Sequence, residues 1–158
     1  MRTFLVWLAT GFLWLGDAKA AEKRIDACAV VTQAEIQGVI GRSTMKGQKN
    51  DVAELSSCTY GNPQAPVLNG QPTDVLVKIA VFNGERPGQA RGAQEIARKN
   101  AADVQPVSGL GDQAYWDGIL RNLSVVKGNI GLDVSVGSDL GGLKTARAIA
   151  EKVLAKLP

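Results

Sequence analysis

The sequence predicts an α+β fold: an antiparallel β-sheet with about three helices packed mainly on one face, stapled by one disulfide. Three observations carry that prediction. Segments of two-residue apolar alternation are separated by glycine-bearing turns, which is the pattern of a meander. Capping signals and helical spacing of apolar residues mark three helices between and after them. Two cysteines, Cys28 and Cys58, complete the pattern in a chain that opens with an export leader.

Met1-Arg2-Thr3 carries one positive side chain, Phe4 to Leu15 is apolar or small, and Ala18-Lys19-Ala20 is a signal-peptidase site. The twelve residues from Phe4 to Leu15 fall short of the roughly 20 that a membrane-spanning helix needs, so the leader predicts cleavage after Ala20 and no stable membrane anchor. Residues 21–158 are then one α+β domain in the periplasm or outside the cell. In that oxidising compartment an even cysteine count reads as a Cys28–Cys58 bridge. Two free thiols or a redox pair is the alternative, although the Cys-x-x-Cys spacing of an oxidoreductase is absent.

Thr32-Gln33-Ala34-Glu35 is a capping box, Ile36, Val39 and Ile40 form a short apolar face, and Gly41 suits a left-handed helix end. Ser56 to Tyr60 alternates weakly and predicts a strand carrying Cys58. Pro63, Pro66, Gly70 and Pro72 make residues 61–73 a long loop. Val75 to Phe82 is apolar on nearly both faces, which suits a central strand. A second helix follows Pro87, with Ala90, Ala93, Ile96, Ala97 and Ala101 as a small-residue stripe and Arg91, Glu95, Arg98 and Lys99 on its solvated side. The meander comprises 113–116, a turn at Asp117-Gly118, 119–127, a turn at Gly128-Asn129, and 130–136. A last helix over 139–157 gathers Leu143, Ala146, Ala150, Val153, Leu154 and Leu157 on one side.

The composition excludes more than it assigns. The chain has no histidine, which removes the commonest general base and the commonest metal ligand, so no metal site and no cofactor are expected. Gly109-Leu110-Gly111-Asp112-Gln113-Ala114 matches the G-x-G-x-x-A form of the dinucleotide fingerprint, but that chemistry needs a helix after the glycines. Here a strand and hairpin follow. Asp112 and Asp117 flank turns, where carboxylates serve local backbone amides. A net charge of +3 with interspersed acidic residues and few aromatics argues against nucleic acid. Asn122-Leu123-Ser124 is a glycosylation acceptor pattern only in a eukaryotic host.

Strand alternation does gather one polar set. Lys78, Asn122, Ser124, Asp133 and Ser135 fall on the sheet face turned away from the helices. Tyr115 joins them, whereas its neighbour Trp116 must point to the opposite face and into the core. These six are the candidate binding residues. The plain alternative is a solvated sheet face.

The spacing of Asp26-Ala27-Cys28, Val31-Thr32, Glu35-Ile36, Gly41, Ser57-Cys58-Thr59-Tyr60 and Gly109-Leu110-Gly111-Asp112-Gln113-Ala114-Tyr115 resembles a family of small exported bacterial proteins and lipoproteins of unknown function, frequent in actinobacteria. The resemblance covers most of residues 21–158 and implies an exported α+β domain with paired cysteines. It brings no catalytic residues. This chain departs from it in lacking a cysteine at the cleavage site for lipid attachment. The leading functional expectation is a non-catalytic binding or interaction module for a protein or small molecule. The alternative is a small hydrolase or transferase that uses carboxylates and hydroxyls on the open sheet face.

Overall fold

Asp26 accepts the Cys28 amide at 2.9 Å and so caps a one-turn helix, α1 (Ala27–Val30). The protein is described here by a computed structural model covering residues 24–82 and 103–158. The leader and the helix expected after Pro87 lie outside the described residues. In α2 (Gln33–Ile40) both halves of the capping box are formed, and Gly41 closes the helix at φ 70°. Glu35 also reaches the far end of the chain, where both its oxygens accept Lys156 Nζ at 2.8 Å. Lys156, then the Thr32 amide and hydroxyl, hold its carboxyl down at about 2.

The main strands are β1 (Gln48–Val52), β2 (Leu55–Gly61), β5 (Val75–Phe82), β6 (Val104–Pro106), β7 (Gln113–Asp117), β8 (Asn122–Lys127) and β9 (Ile130–Val136). Among the described residues these seven form one sheet in the order β1-β2-β5-β9-β8-β7-β6, with every pairing antiparallel. β1 and β6 are the two edges. The expected loop after β2 holds a small hairpin, β3 (Val67–Leu68) with β4 (Gln71–Pro72), turned through Asn69 and Gly70 at positive φ.

The structure departs from expectation where local chemistry gives way to pairing or to glycine. Gln48 to Val52 is polar and almost wholly exposed, yet register with β2 makes it a strand. Residues 119–121 are a turn rather than strand, because Asp117 Oδ1 accepts the Ile119 and Leu120 amides at 2.9 and 2.8 Å and Arg121 sits at φ 52°. The last helix, α3 (Leu143–Leu154), starts later than residue 139 because Gly141 and Gly142 have φ of 75° and 58°, which no α-helix admits.

One apolar cluster joins Cys58, Tyr60, Val77, Ile79, Val81, Trp116, Leu123, Val125, Leu132 and Val134 of the sheet with Ala27 and Val30 of α1, Ile36 of α2, and Ala146, Ile149, Ala150 and Val153 of α3. The Cys28–Cys58 disulfide ties α1 to β2. Beside it Gly47 is obligatory: a Cβ there would lie 2.6 Å from Cys58 Sγ. Tyr60 is buried, and its hydroxyl donates to the Val31 carbonyl at 2.8 Å, so a polar tip in the core keeps its partner.

Candidate functional site

Cross-strand register decides which side chains can act together. Tyr115, Ser124 and Asp133 are direct neighbours on β7, β8 and β9, and the row continues through Ala80 on β5 and Ser57 on β2. Two residues along every strand, a second row runs Asp117, Asn122, Ser135, Lys78, Thr59. Because side chains alternate with period two, both rows stand on one face of the sheet. All six sequence-predicted residues are therefore brought together. Trp116, Leu123, Val134, Ile79 and Cys58 form the corresponding row on the opposite face.

The centre of the polar rows is a hydrogen-bonded network. Ser135 Oγ donates to Asn122 Oδ1 at 2.8 Å, and Asn122 Nδ2 donates to Ser124 Oγ at 3.0 Å. Burial pushes the Asp133 carboxyl above its ordinary value of 3.8, and the neighbouring Ser124 and Asn122 side chains and the Lys78 charge only partly oppose it. Lys78 is exposed, while Tyr115, Asn122, Ser124, Asp133 and Ser135 are half-buried. The face is drier than an open solvated sheet, since Val126 and Ala80, which share it, are 0% and 7% exposed.

Two residues of the same rows were not singled out from the sequence. Ser57 and Thr59 are buried, and Ser57 Oγ donates to the Asn50 carbonyl at 3.0 Å. Their signal was present, because they alternate with Cys58, whose bridge fixes which way β2 faces.

The other acidic candidates do local work. Asp117 accepts the turn amides already described, and Asp112 Oδ2 accepts the Gly128 amide at 2.7 Å. The Gly109-Leu110-Gly111 segment leads into β7 rather than a helix, so no helix amides face its glycines. It instead lines a cleft of about 470 Å³ with Asp112, Lys127, Glu151, Leu154 and Ala155. Lys127 Nζ is engaged there by the Leu154 and Leu157 carbonyls at 3.2 and 3.1 Å. Among the described residues no group of three or more His, Cys, Asp or Glu side chains is placed to hold a metal ion. Within them, no helix is long and apolar enough to cross a membrane.

Chemically, the six predicted residues offer the Asp133 carboxyl, the Ser124 and Ser135 hydroxyls, the Asn122 carboxamide, the Lys78 ammonium and the Tyr115 phenol within four strands. That set suits hydrogen bonding to a polar ligand. No protein-family model and no curated protein sequence matches this chain.

Proposed function

We propose that this chain is an exported, non-catalytic binding module that takes a small polar ligand on the face bearing Tyr115, Lys78, Asn122, Ser124, Asp133 and Ser135. In this reading residues 1–20 are a cleaved leader, residues 21–158 are one domain, and the helices assemble on the face opposite the ligand. The Cys28–Cys58 disulfide supports an oxidising destination. The likeness to small exported bacterial proteins belongs to the same reading.

The observation that carries the proposal is the pair of adjacent cross-strand rows with its Ser135–Asn122–Ser124 hydrogen-bond chain beside Asp133. Such a network fixes the orientation of Asn122, Ser124 and Ser135 before any ligand arrives, which lowers the entropy cost of binding. It also argues against nucleophilic chemistry. With no histidine in the chain, Ser124 lacks the imidazole base that ordinarily activates a serine, and its Oγ already accepts the Asn122 carboxamide.

The test is a fragment titration followed by amide chemical shifts, using neutral sugars, amino acids and small carboxylates. Shifts concentrated on β5, β7, β8 and β9 and lost in Ser124→Ala support the reading. Hits confined to the cleft beside Gly109 refute it.

The raised Asp133 carboxyl favours a second reading, a small hydrolase or transferase in which Asp133 exchanges a proton with the substrate. Turnover of p-nitrophenyl esters or phosphates that vanishes in Asp133→Asn would establish it. Equal background rates in both proteins would leave the binding module.

A further inference from the structure

We propose that the cleft between the Gly109-Leu110-Gly111 loop and the C-terminal end of α3 is a second binding site, and that it takes an aliphatic carboxylate. The cleft encloses about 470 Å³, within the range of small-ligand pockets. Lys127 on its wall has the strand parity of Leu123 and Val125, so the cleft opens on the α3 side of the sheet, away from the polar rows.

The loop supplies an anion-binding element. Gly109 and Gly111 stand at φ 76° and 54° on either side of Leu110, which does not share their positive φ. Such alternation of backbone handedness turns successive amides toward one side and makes a concavity that receives an anion. The amides of Gly109, Leu110 and Gly111 take no hydrogen-bond partner among the described residues. Gly111 needs its conformation to pass the Val126 carbonyl, where a Cβ would lie at 2.4 Å, but a Cβ on Gly109 would meet only Arg147 Nη2, at 3.3 Å. Packing therefore accounts for one glycine and not for the other.

Two cations complete the site. Arg147 donates Nε to Glu151 Oε1 at 3.0 Å along α3, which leaves Nη2 over Gly109. Lys127 donates to the Leu154 and Leu157 carbonyls at 3.2 and 3.1 Å and keeps the last of its three ammonium hydrogens. By capping those carbonyls it offsets the negative helix end that would otherwise repel an anion here.

Charge and shape narrow the ligand. Asp112 and Glu151 also line the cleft, so two cations face two carboxylates and the walls are close to neutral. Each carboxylate already accepts a hydrogen bond, Asp112 from the Gly128 amide and Glu151 from Arg147. The open loop amides and cations are donors, and a single negative charge suits them where the double charge of phosphate does not. Leu110, Leu154 and Ala155 line the rest with hydrocarbon, so the charge needs an aliphatic group beside it. A free short-chain acid and the C-terminus of a chain ending in leucine share that chemistry.

Amide chemical shifts of the full-length chain, with Cys28–Cys58 oxidised, are followed during titration with isovalerate and, separately, with acetyl-glycyl-leucine. Isovaleramide, the C-terminal amide of that peptide and inorganic phosphate are the controls. The expected result is saturable shifts at residues 109–112, 127 and 151–155 with both acids and none with the controls. Arg147→Gln should weaken the acids, and Glu151→Gln, which removes a negative charge and frees the guanidinium, should tighten them, each by about two- to fivefold as for an exposed ion pair. Tighter isovalerate assigns the cleft to free acids, and tighter peptide assigns it to a chain end. Equal response to acid and amide, equal affinity for phosphate, no saturable shift at these residues, or affinity indifferent to both substitutions overturns the inference. Shifts on β5, β8 and β9 test the sheet-face proposal and are read separately, so either proposal can fail alone.

Discussion

Breaking the Cys28–Cys58 bridge should cost this fold about 3.6 kcal/mol at 25 °C, the chain-entropy value for a loop closed over a separation of 30 residues. The perturbation that isolates this term is Cys28→Ala. Cys58 is 0% exposed and its sulfur fills a slot against Gly47 and Tyr60, so retaining it avoids a cavity. The double variant Cys28→Ala/Cys58→Ala should lose about 1 kcal/mol more, the cost of a small void in a packed core. Urea unfolding followed by circular dichroism measures both. The single variant should show a lower midpoint together with a steeper slope, because an uncrosslinked unfolded chain exposes more surface. A Cys28→Ala protein within about 1 kcal/mol of the parent would refute the reasoning, since the loop term cannot fall so low unless the unfolded state is already compact there. A double variant far worse than the single one would shift the explanation from loop closure to packing.

Further tests address the turns, the core and the polar rows. Gly111→Ala should destabilise by more than about 2 kcal/mol in the same assay, because φ is 54° and its Cβ would sit 2.4 Å from the Val126 carbonyl oxygen, a backbone atom that cannot swing away. Gly128→Ala, with φ of 55° but open space, should cost clearly less. Trp116→Ala should cost about 3 to 5 kcal/mol as a buried aromatic, and Tyr115→Ala much less; equal losses would mean that β7 is stabilised from both faces alike. For Asp133 the native carboxyl holds its proton more tightly than the unfolded chain does, so the native state binds more protons in that range. Stability should therefore fall as pH rises from about the ordinary 3.8 through the native value, and Asp133→Asn should flatten that slope in denaturant titrations.

Much of the sheet was legible because its signals are local. Val75–Phe82 and Ile130–Val136 fall where alternation places them, and the capping box and Gly41 bracket α2. Trp116 and Tyr115 divide between the two faces as strand parity requires, buried and half-buried respectively. The six polar residues could be grouped for the same reason: two hairpins and strict parity carry Tyr115, Ser124, Asp133 and Lys78 to one side. What a single chain segment does not encode is what its neighbours impose. β1 has no apolar pattern and is a strand only because β2 offers it a ladder. The onset of α3 was hidden in the backbone angles of Gly141 and Gly142 rather than in side-chain spacing. Alternation also gives the side on which Asp133 stands but not how dry that side is, which depends on Val126, Ala80 and whatever lies over them.

The two margins of the sheet have a colloidal consequence. An open antiparallel sheet presents unpaired amides and carbonyls to any strand of another molecule, and long apolar margins are where such proteins polymerise. Here one margin is β1, whose Lys49 is pinned between Asp26 and Asp51 at 2.7 and 3.1 Å, so an incoming strand would meet a fixed row of charges. The other is β6, three residues long and ending in Pro106, which has no amide to donate. Growth of the sheet from molecule to molecule is thus opposed at both ends by different means, charge on one side and brevity on the other. Neither margin of the described sheet offers the long, flat, apolar ladder on which copies of a chain pair edge to edge.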